Sequence, residues 1–198
     1  ARGGVDPTMN PSLAMVLEKA RKANMPKANI ERAIARASDK NSAALIEETY
    51  EAYGPGGVGI VIEVATDNKN RTMPEVRNAL QKNGGRMADP GSVMFQFERK
   101  GVIFVSDKGE EALMTALEAG AEDAVEEEDG IEIITAATDL MKVRQNLLDA
   151  GLNVEEAEQK YISNNKVPLS DEDAEKVDKL LNIVDDLDDV TAVHTNAE

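Results

Sequence analysis

A glycine-rich turn between two apolar segments constrains this chain more than any other feature of the sequence. Residues 54–57 read GPGG, in which proline presets one backbone angle and the glycines accept positive φ values. Apolar side chains then recur at every second position from Val58 to Val64, which is typical of a strand with one buried face. The sequence therefore predicts a hairpin with strands at 45–53 and 58–66.

A polar loop and a helix are predicted after this hairpin. Residues 67–71 read DNKNR and are too polar to bury, so they are expected to form the loop. Thr72 and Glu75 have the spacing of a capping box, in which each side chain bonds the backbone amide of the other. The helix is predicted to end at Gly84 and Gly85, since glycine accepts the left-handed conformation that follows many helices.

Two phenylalanines mark a further predicted strand. Phe95 and Phe97 alternate with polar neighbours, so both are predicted to lie in the core rather than to stack on bases. Only 3% of the residues are aromatic and none is Trp. A protein that binds nucleic acid chiefly by stacking bases on rings needs more aromatic side chains.

The first forty residues are predicted to be helical and basic. One helix starts at Asn10, a second follows Pro26, and Arg32 and Arg36 lie one turn apart on its polar face. Residues 1–40 contain eight Lys or Arg and four Asp or Glu, a net charge of +4, so the rest of the −16 chain carries −20. This asymmetry indicates either a basic end that meets a polyanion or solvated helix faces that are basic by chance. The two helices match either the docking half of a helix-turn-helix or part of a plain bundle.

The second half of the chain carries a recognisable order of elements. Residues 100–166 read as β-α-β-β-α-β, the order of a ferredoxin-like fold, with Asp129 and Gly130 at the middle hairpin. The first helix of this segment is predicted to turn Leu113 and Leu117 inward. A last helix capped by Ser170 and a final strand then return to the unit that contains the first hairpin.

The sequence therefore predicts an α+β protein. A helical N-terminal module, truncated at its start, precedes two ferredoxin-like α+β domains, one inserted in the other. The predicted domains are residues 1–41, residues 42–99 together with 167–198, and residues 100–166.

Five motifs stand out along the chain: YGPGG at 53–57, TDNKNRT at 66–72, NMPK at 24–27, EAGAED at 118–123 and LDDV at 187–190. They resemble motifs of the YebC/PmpR family, and the resemblance covers essentially the whole chain. The resemblance implies a transcriptional regulator that binds DNA. The mitochondrial branch of the family, which includes a translational activator of cytochrome oxidase, implies as the alternative a ribosome-associated translation factor that binds rRNA. Family members carry a Lys/Arg-rich segment ahead of the first residue here, so this chain is expected to be a fragment.

Nine cations are predicted to bind nucleic acid, chiefly through phosphates. Six lie in the basic N-terminal segment, and three lie where a loop meets a helix N-terminus, a place that favours anions. For these three the alternative is a surface loop whose Asn and Asp side chains bond their own backbone. The nine residues are Lys19, Arg21, Lys22, Lys27, Arg32, Arg36, Lys69, Arg71 and Arg77.

No catalytic residue, metal site or cofactor is predicted. With no cysteine and His194 as the only histidine, hydrolytic triads and most transition-metal sites lack their side chains. His194 is predicted to be an ordinary polar residue on the last strand. The acidic runs at 126–129 and 185–189 are predicted to be solvated edges rather than cation sites. No apolar run reaches the length of a membrane span, and the lack of cysteine fits the cytoplasm.

Overall fold

The chain divides into two compact units, Ala1–Ala44 and Leu45–Glu198. The predicted boundary between residues 41 and 42 falls among residues 39–44, which lie outside the described part of the chain. The finer division of the larger unit at residues 99 and 166 stays a prediction. The computed structural model describes residues 6–7, 9–22, 25–38 and 45–198.

The smaller unit contains the two predicted helices, α1 (Pro11–Lys22) and α2 (Lys27–Ser38). The backbone amide of Leu13 donates a 3.2 Å hydrogen bond to Asn10 Oδ1, so Asn10 caps α1 as predicted. Leu17 is buried in the described part of this unit, whereas Val16 is 63% exposed.

The larger unit is an α+β structure with two four-stranded antiparallel sheets, which confirms the predicted fold class. Its elements are β1 (Ile46–Tyr53), β2 (Gly59–Thr66), α3 (Lys69–Lys82), β3 (Arg86–Met87), β4 (Phe97–Val105), α4 (Glu110–Glu118), β5 (Asp123–Glu127), β6 (Gly130–Ala136), α5 (Leu140–Asp149), β7 (Val154–Ser163), α6 (Asp171–Asp185) and β8 (Val190–Thr195).

The first sheet has the strand order β3-β1-β2-β8. The predicted hairpin pairs Tyr53 with Gly59 across the glycine-rich turn, where Gly56 and Gly57 adopt φ values of 68° and 81°. One face of β1 and β2 packs against α3 and α6, with Leu80 and Leu180 fully buried. The final helix and strand therefore complete a sheet begun more than a hundred residues earlier in the chain.

The second sheet has the order β5-β6-β4-β7, with every neighbouring pair antiparallel. Its elements follow the predicted β-α-β-β-α-β order, which is that of a split βαβ fold. Ile103, Ile131 and Ile133 face α4 and α5 and are completely buried. The hairpin between β5 and β6 pairs Glu127 with Gly130, one position from the predicted turn.

A small apolar cluster joins the two sheets. The cluster contains Val61 of β2, Phe97 of β4 and Val93, which precedes β4, and all three side chains are buried. Tyr161 of β7 packs on them. Val61 points away from Ile60 and its partners on the other face, so β2 is buried on both faces here. The prediction of a strand with a single buried face was wrong at this position, because a second sheet covers the other face.

The helix after the first hairpin begins earlier than predicted. Lys69 is its first residue, and the preceding Asn68 makes no side-chain cap bond. The capping box was therefore wrong, because Thr72 is buried inside the helix and its hydroxyl bonds other groups. The end of the helix is as predicted: Gly84 has a φ of 83°, and the amide of Gly85 donates to the Leu80 carbonyl.

The two phenylalanines differ in their surroundings. Phe97 is buried as predicted, but Phe95 is 75% exposed. Residues Met94–Gln96 form a 3-10 turn rather than a strand, so the alternation that predicted a common face does not apply. The prediction of a core position for Phe95 was therefore wrong.

Candidate nucleic-acid interface

Six of the nine predicted cations lie on the helices of the smaller unit. Lys19, Arg21 and Lys22 belong to α1, and Lys27, Arg32 and Arg36 belong to α2. The side chains of Arg21, Lys27 and Arg32 are exposed, and those of the other three lie outside the described part.

Among these exposed side chains, one has an acidic neighbour. Lys27 Nζ lies 3.6 Å from a Glu31 carboxylate oxygen one turn away, and both side chains are largely exposed. An exposed pair of this kind contributes little free energy, so it leaves Lys27 available to a stronger anion. Within the described residues, Arg21 and Arg32 make no ion pair.

The cations at the start of α3 are engaged by carboxylates of the same unit. Lys69 pairs with Glu48 of β1. Arg71 lies 3.0 Å from an Asp67 oxygen and 2.7 Å from an Asp189 oxygen. A phosphate at this helix end would have to compete with these carboxylates for both side chains.

Asp189 is the centre of that arrangement. The hydroxyls of Thr72 and Thr66 lie 2.5 and 3.1 Å from one of its carboxylate oxygens. The hydrogen bond from Thr72, followed by that from Arg71, lowers the pKa of Asp189, and the Asp189 carboxylate in turn raises the pKa of Arg71. The prediction that the whole run at 185–189 is a solvated edge was therefore wrong for Asp189.

Arg77 is placed differently from Lys69 and Arg71. Its exposed side chain makes no ion pair within the part of the chain that the structure describes, and it lies 4.0 Å from the sulfur of Met73. Together with Met73 and Met87 it lines a cavity of about 280 Å³. Of the three cations predicted around this helix, Arg77 alone keeps its charge uncompensated by a carboxylate.

His194 is a buried member of a polar group between the two sheets. Its Nε2 lies 3.4 Å from a Glu63 oxygen, and its ring meets Tyr161 edge-on at 5.6 Å. Arg99 lies 3.9 Å from the other Glu63 oxygen. The hydrogen bond to His194 lowers the pKa of Glu63 against the opposing effect of burial. His194 lies on the last strand, as predicted, and its ring contact with Tyr161 joins β8 to the second sheet.

Comparisons with known proteins decide the family. A family model described as the second and third domain of TACO1/YebC matches residues 45–197, and the model of the TACO1/YebC N-terminal domain matches residues 1–40. The chain belongs to the TACO1/YebC family. The resemblance found in the sequence motifs is thereby confirmed.

Individual TACO1/YebC relatives match almost the whole chain. A probable transcriptional regulatory protein of Mycobacterium sp. strain KMS is 46% identical over 201 residues, which are 99% of this chain and 80% of the relative. One of the same name from Hahella chejuensis is 45% identical over 202 residues, covering 100% and 82%. The crystal structure of a conserved hypothetical protein from Aquifex aeolicus is 41% identical, with a TM-score of 0.89 over 99% of this chain and 83% of that one.

None of the described helices combines the length and the apolar character that crossing a bilayer requires.

Proposed function

We propose that this chain is a non-enzymatic regulator of gene expression that binds DNA through the basic helices of its smaller unit. The observation that carries the proposal is the exposure of Arg21 and Arg32 without ion pairs among the described residues. They lie in a segment of net charge +4, ahead of a unit of net charge −20. Exposed guanidinium groups on helices hold phosphates through charge-assisted hydrogen bonds.

The names of the relatives support a regulatory role. The Mycobacterium and Hahella proteins are each called a probable transcriptional regulatory protein, and both are aligned over nearly the whole chain. The proposal that the chain lacks catalysis is supported by its side-chain chemistry. It has no cysteine, and its single histidine is buried against Glu63 rather than presented to a substrate.

The predicted binding set is refined by the neighbouring carboxylates. Lys69 and Arg71 are paired with Glu48, Asp67 and Asp189, whereas Arg77 has no such partner among the described residues. Lys19, Lys22, Lys27 and Arg36 remain in the proposed set with Arg21 and Arg32. Contacts of this kind orient a protein on nucleic acid but carry little sequence information.

A ribosome-associated translation factor that binds rRNA is the second candidate. It is favoured by the charge of −20 on residues 45–198 and by the internal pairing of Lys69 and Arg71. A strongly acidic unit is repelled by a duplex that runs along it, but suits a protein that contacts RNA at one end. The same exposed cations of α1 and α2 would then meet rRNA phosphates.

The two candidates are separated by titrating the full chain against labelled duplex DNA and against ribosomes, each over a salt series. The proposal predicts DNA binding with a sequence preference that survives at physiological salt. Weak, sequence-independent DNA binding together with salt-resistant ribosome binding would replace the first candidate by the second. Absence of binding to both would contradict the nucleic-acid role itself.

A further inference from the structure

The segment that carries Phe95 is held by a buried carboxylate. Glu51 of β1 is only 8% exposed, and its two oxygens accept hydrogen bonds from the amides of Gly91, Val93 and Met94 at 2.5, 2.6 and 2.8 Å. Burial raises the pKa of a carboxylate, but the three amides overcome this and the pKa of Glu51 is lowered. The charged side chain of Glu51 thus fixes the backbone of residues 91–94.

Further contacts fix both sides of Phe95. On the N-terminal side, the Tyr53 hydroxyl donates a 3.0 Å hydrogen bond to the Ser92 carbonyl. On the C-terminal side, the side-chain amide of Asn196 donates to Gln96 Oε1 at 3.1 Å while its oxygen accepts from the Gly59 amide at 2.7 Å. The two apolar positions that flank the turn, Val93 and Phe97, are buried between the sheets.

Phe95 therefore faces solvent from a rigid support. A single exposed apolar side chain on a mobile loop requires no explanation. Here, however, a buried carboxylate and a tyrosine hold the backbone before a ring that is 75% exposed, and an asparagine holds the side chain of the residue after it. A ring fixed in this way loses little conformational entropy when it meets a planar partner.

A guanidinium group is linked to the same support. Arg86 of β3 lies over the ring of Tyr53 at 4.6 Å, and the hydroxyl of that tyrosine bonds Ser92. Within the described residues Arg86 makes no ion pair, although the unit is strongly acidic. An uncompensated cation and an exposed ring are the two groups with which proteins hold single-stranded nucleic acid.

We propose that Phe95 is a stacking platform for an unpaired base, with Arg86 at a neighbouring phosphate. The inference rests on the proposed nucleic-acid function and adds to it a second contact, in the larger unit, that takes an unpaired base of a single-stranded or looped segment. The apolar neighbours of the ring along the chain turn inward, since Val93 and Phe97 are buried and Met94 packs against them, so Phe95 is the one exposed ring of this segment. A protein partner would instead require a continuous apolar patch around it.

The absence of tryptophan from the chain provides a direct test. In the full chain, Phe95→Trp places a single indole on the support, and stacking on a base quenches its fluorescence. The probe is a single-stranded DNA of about 12 nucleotides, within the usual site size of such proteins, compared with its blunt duplex. The inference predicts quenching by the single strand and little change with the duplex. Leu117→Trp, on α4 and 47% exposed in the wild type, is the matched control that stays unquenched.

Affinity measurements separate stacking from simple apolar contact. Phe95→Ala is expected to weaken single-strand binding about tenfold or more, whereas Phe95→Tyr keeps it, because every ring presents a face to the base. Phe95→Leu preserves apolar area without a ring and is expected to behave like Phe95→Ala. Full single-strand affinity in Phe95→Leu would overturn stacking, because it would show that no ring is needed at this position.

The outcomes for this inference and for the proposed function are distinct. If the wild type binds DNA but the indole at position 95 is not quenched by the single strand, the stacking inference is wrong and the proposed function stands. If neither single-stranded nor duplex DNA binds the wild type at low salt, the DNA-binding function fails and the inference fails with it.

Discussion

Asp189 illustrates what decides the role of a single residue in this chain. It belongs to a run of acidic residues in which Asp185, Asp186 and Asp188 are exposed, as the sequence predicts. Asp189 differs because Arg71 and Thr72, more than a hundred residues earlier, meet its carboxylate. Local composition carries no record of such a partner, so the sequence predicts the exposure of the other acidic residues of this run correctly but not the contacts of Asp189.

We expect Asp189→Asn to lower the free energy of unfolding by about 1–3 kcal/mol at neutral pH, because charged hydrogen bonds to Arg71 and Thr72 are lost. Since the folded-state pKa of Asp189 is lowered, its contribution is complete above the ordinary Asp pKa and is lost as the pH falls below about 4. Urea denaturation of the wild type and of Asp189→Asn at several pH values measures the difference between their free energies of unfolding.

The matched control for this prediction is Asp188→Asn, which removes the same charge from an exposed neighbour. It is expected to change stability by less than about 0.5 kcal/mol. Equal effects of the two substitutions would mean that general charge repulsion, rather than the contacts of Asp189, determines the result.

At the scale of elements, periodicity predicted only part of the side of α4 that faces the core. The sequence places α4 correctly, and Leu113 packs against the core as predicted, but Leu117 is 47% exposed while Ala112 and Ala116 are buried. The sheet presents bulky Ile103, Ile131 and Ile133 to this helix. Small side chains on the helix allow close packing against such a surface, and a rule that seeks the largest apolar residues misses them.

This difference predicts contrasting costs for two leucine substitutions. Leu147→Ala removes a fully buried side chain of α5 and is expected to cost about 2–5 kcal/mol. Leu117→Ala on α4 is expected to cost less than about 1 kcal/mol, since much of the side chain already lies in water. Thermal or urea unfolding measures both, and a large loss in Leu117→Ala would contradict the orientation of α4.

The turn between β1 and β2 gives a second prediction at this scale. Gly56 and Gly57 both have positive φ values, so an alanine at either costs about 1–2 kcal/mol of backbone strain. A Cβ at Gly56 would also collide with Leu169 Cδ2, whereas one at Gly57 meets no atom within 4 Å. We therefore expect Gly56→Ala to lower the unfolding midpoint more than Gly57→Ala. Equal midpoints would show that Leu169 moves aside at little cost.

Phe95 shows why element boundaries affect the candidate site. Alternation with Phe97 predicted one strand and one buried face, but strand β4 begins only at Phe97. The turn before it is imposed by Glu51, which lies more than forty residues earlier. The short DPGS sequence at 89–92 is the local signal for a turn. The irregular segment that starts there continues to Gln96, where the alternation of apolar residues had indicated a strand.

At the scale of the whole molecule, the two units carry net charges of opposite sign: the smaller is basic and the larger is strongly acidic. The predicted α+β class, the two sheets and the family followed from sequence patterns and motifs. Whether a cation is free or neutralised did not follow, because the carboxylates that pair with Lys69 and Arg71 come from distant segments. The proposed DNA contact therefore centres on α1 and α2.

The most direct test of this account measures how duplex DNA affinity depends on salt in three full-length proteins: the wild type, Arg21→Gln/Arg32→Gln, and Lys142→Gln/Lys179→Gln. The last removes equal charge from exposed side chains of α5 and α6. The account predicts that the double arginine variant binds more weakly and that its slope of log affinity against log salt is flatter by about two, while the lysine variant keeps the wild-type slope. Equal slopes for the wild type and the arginine variant would contradict it.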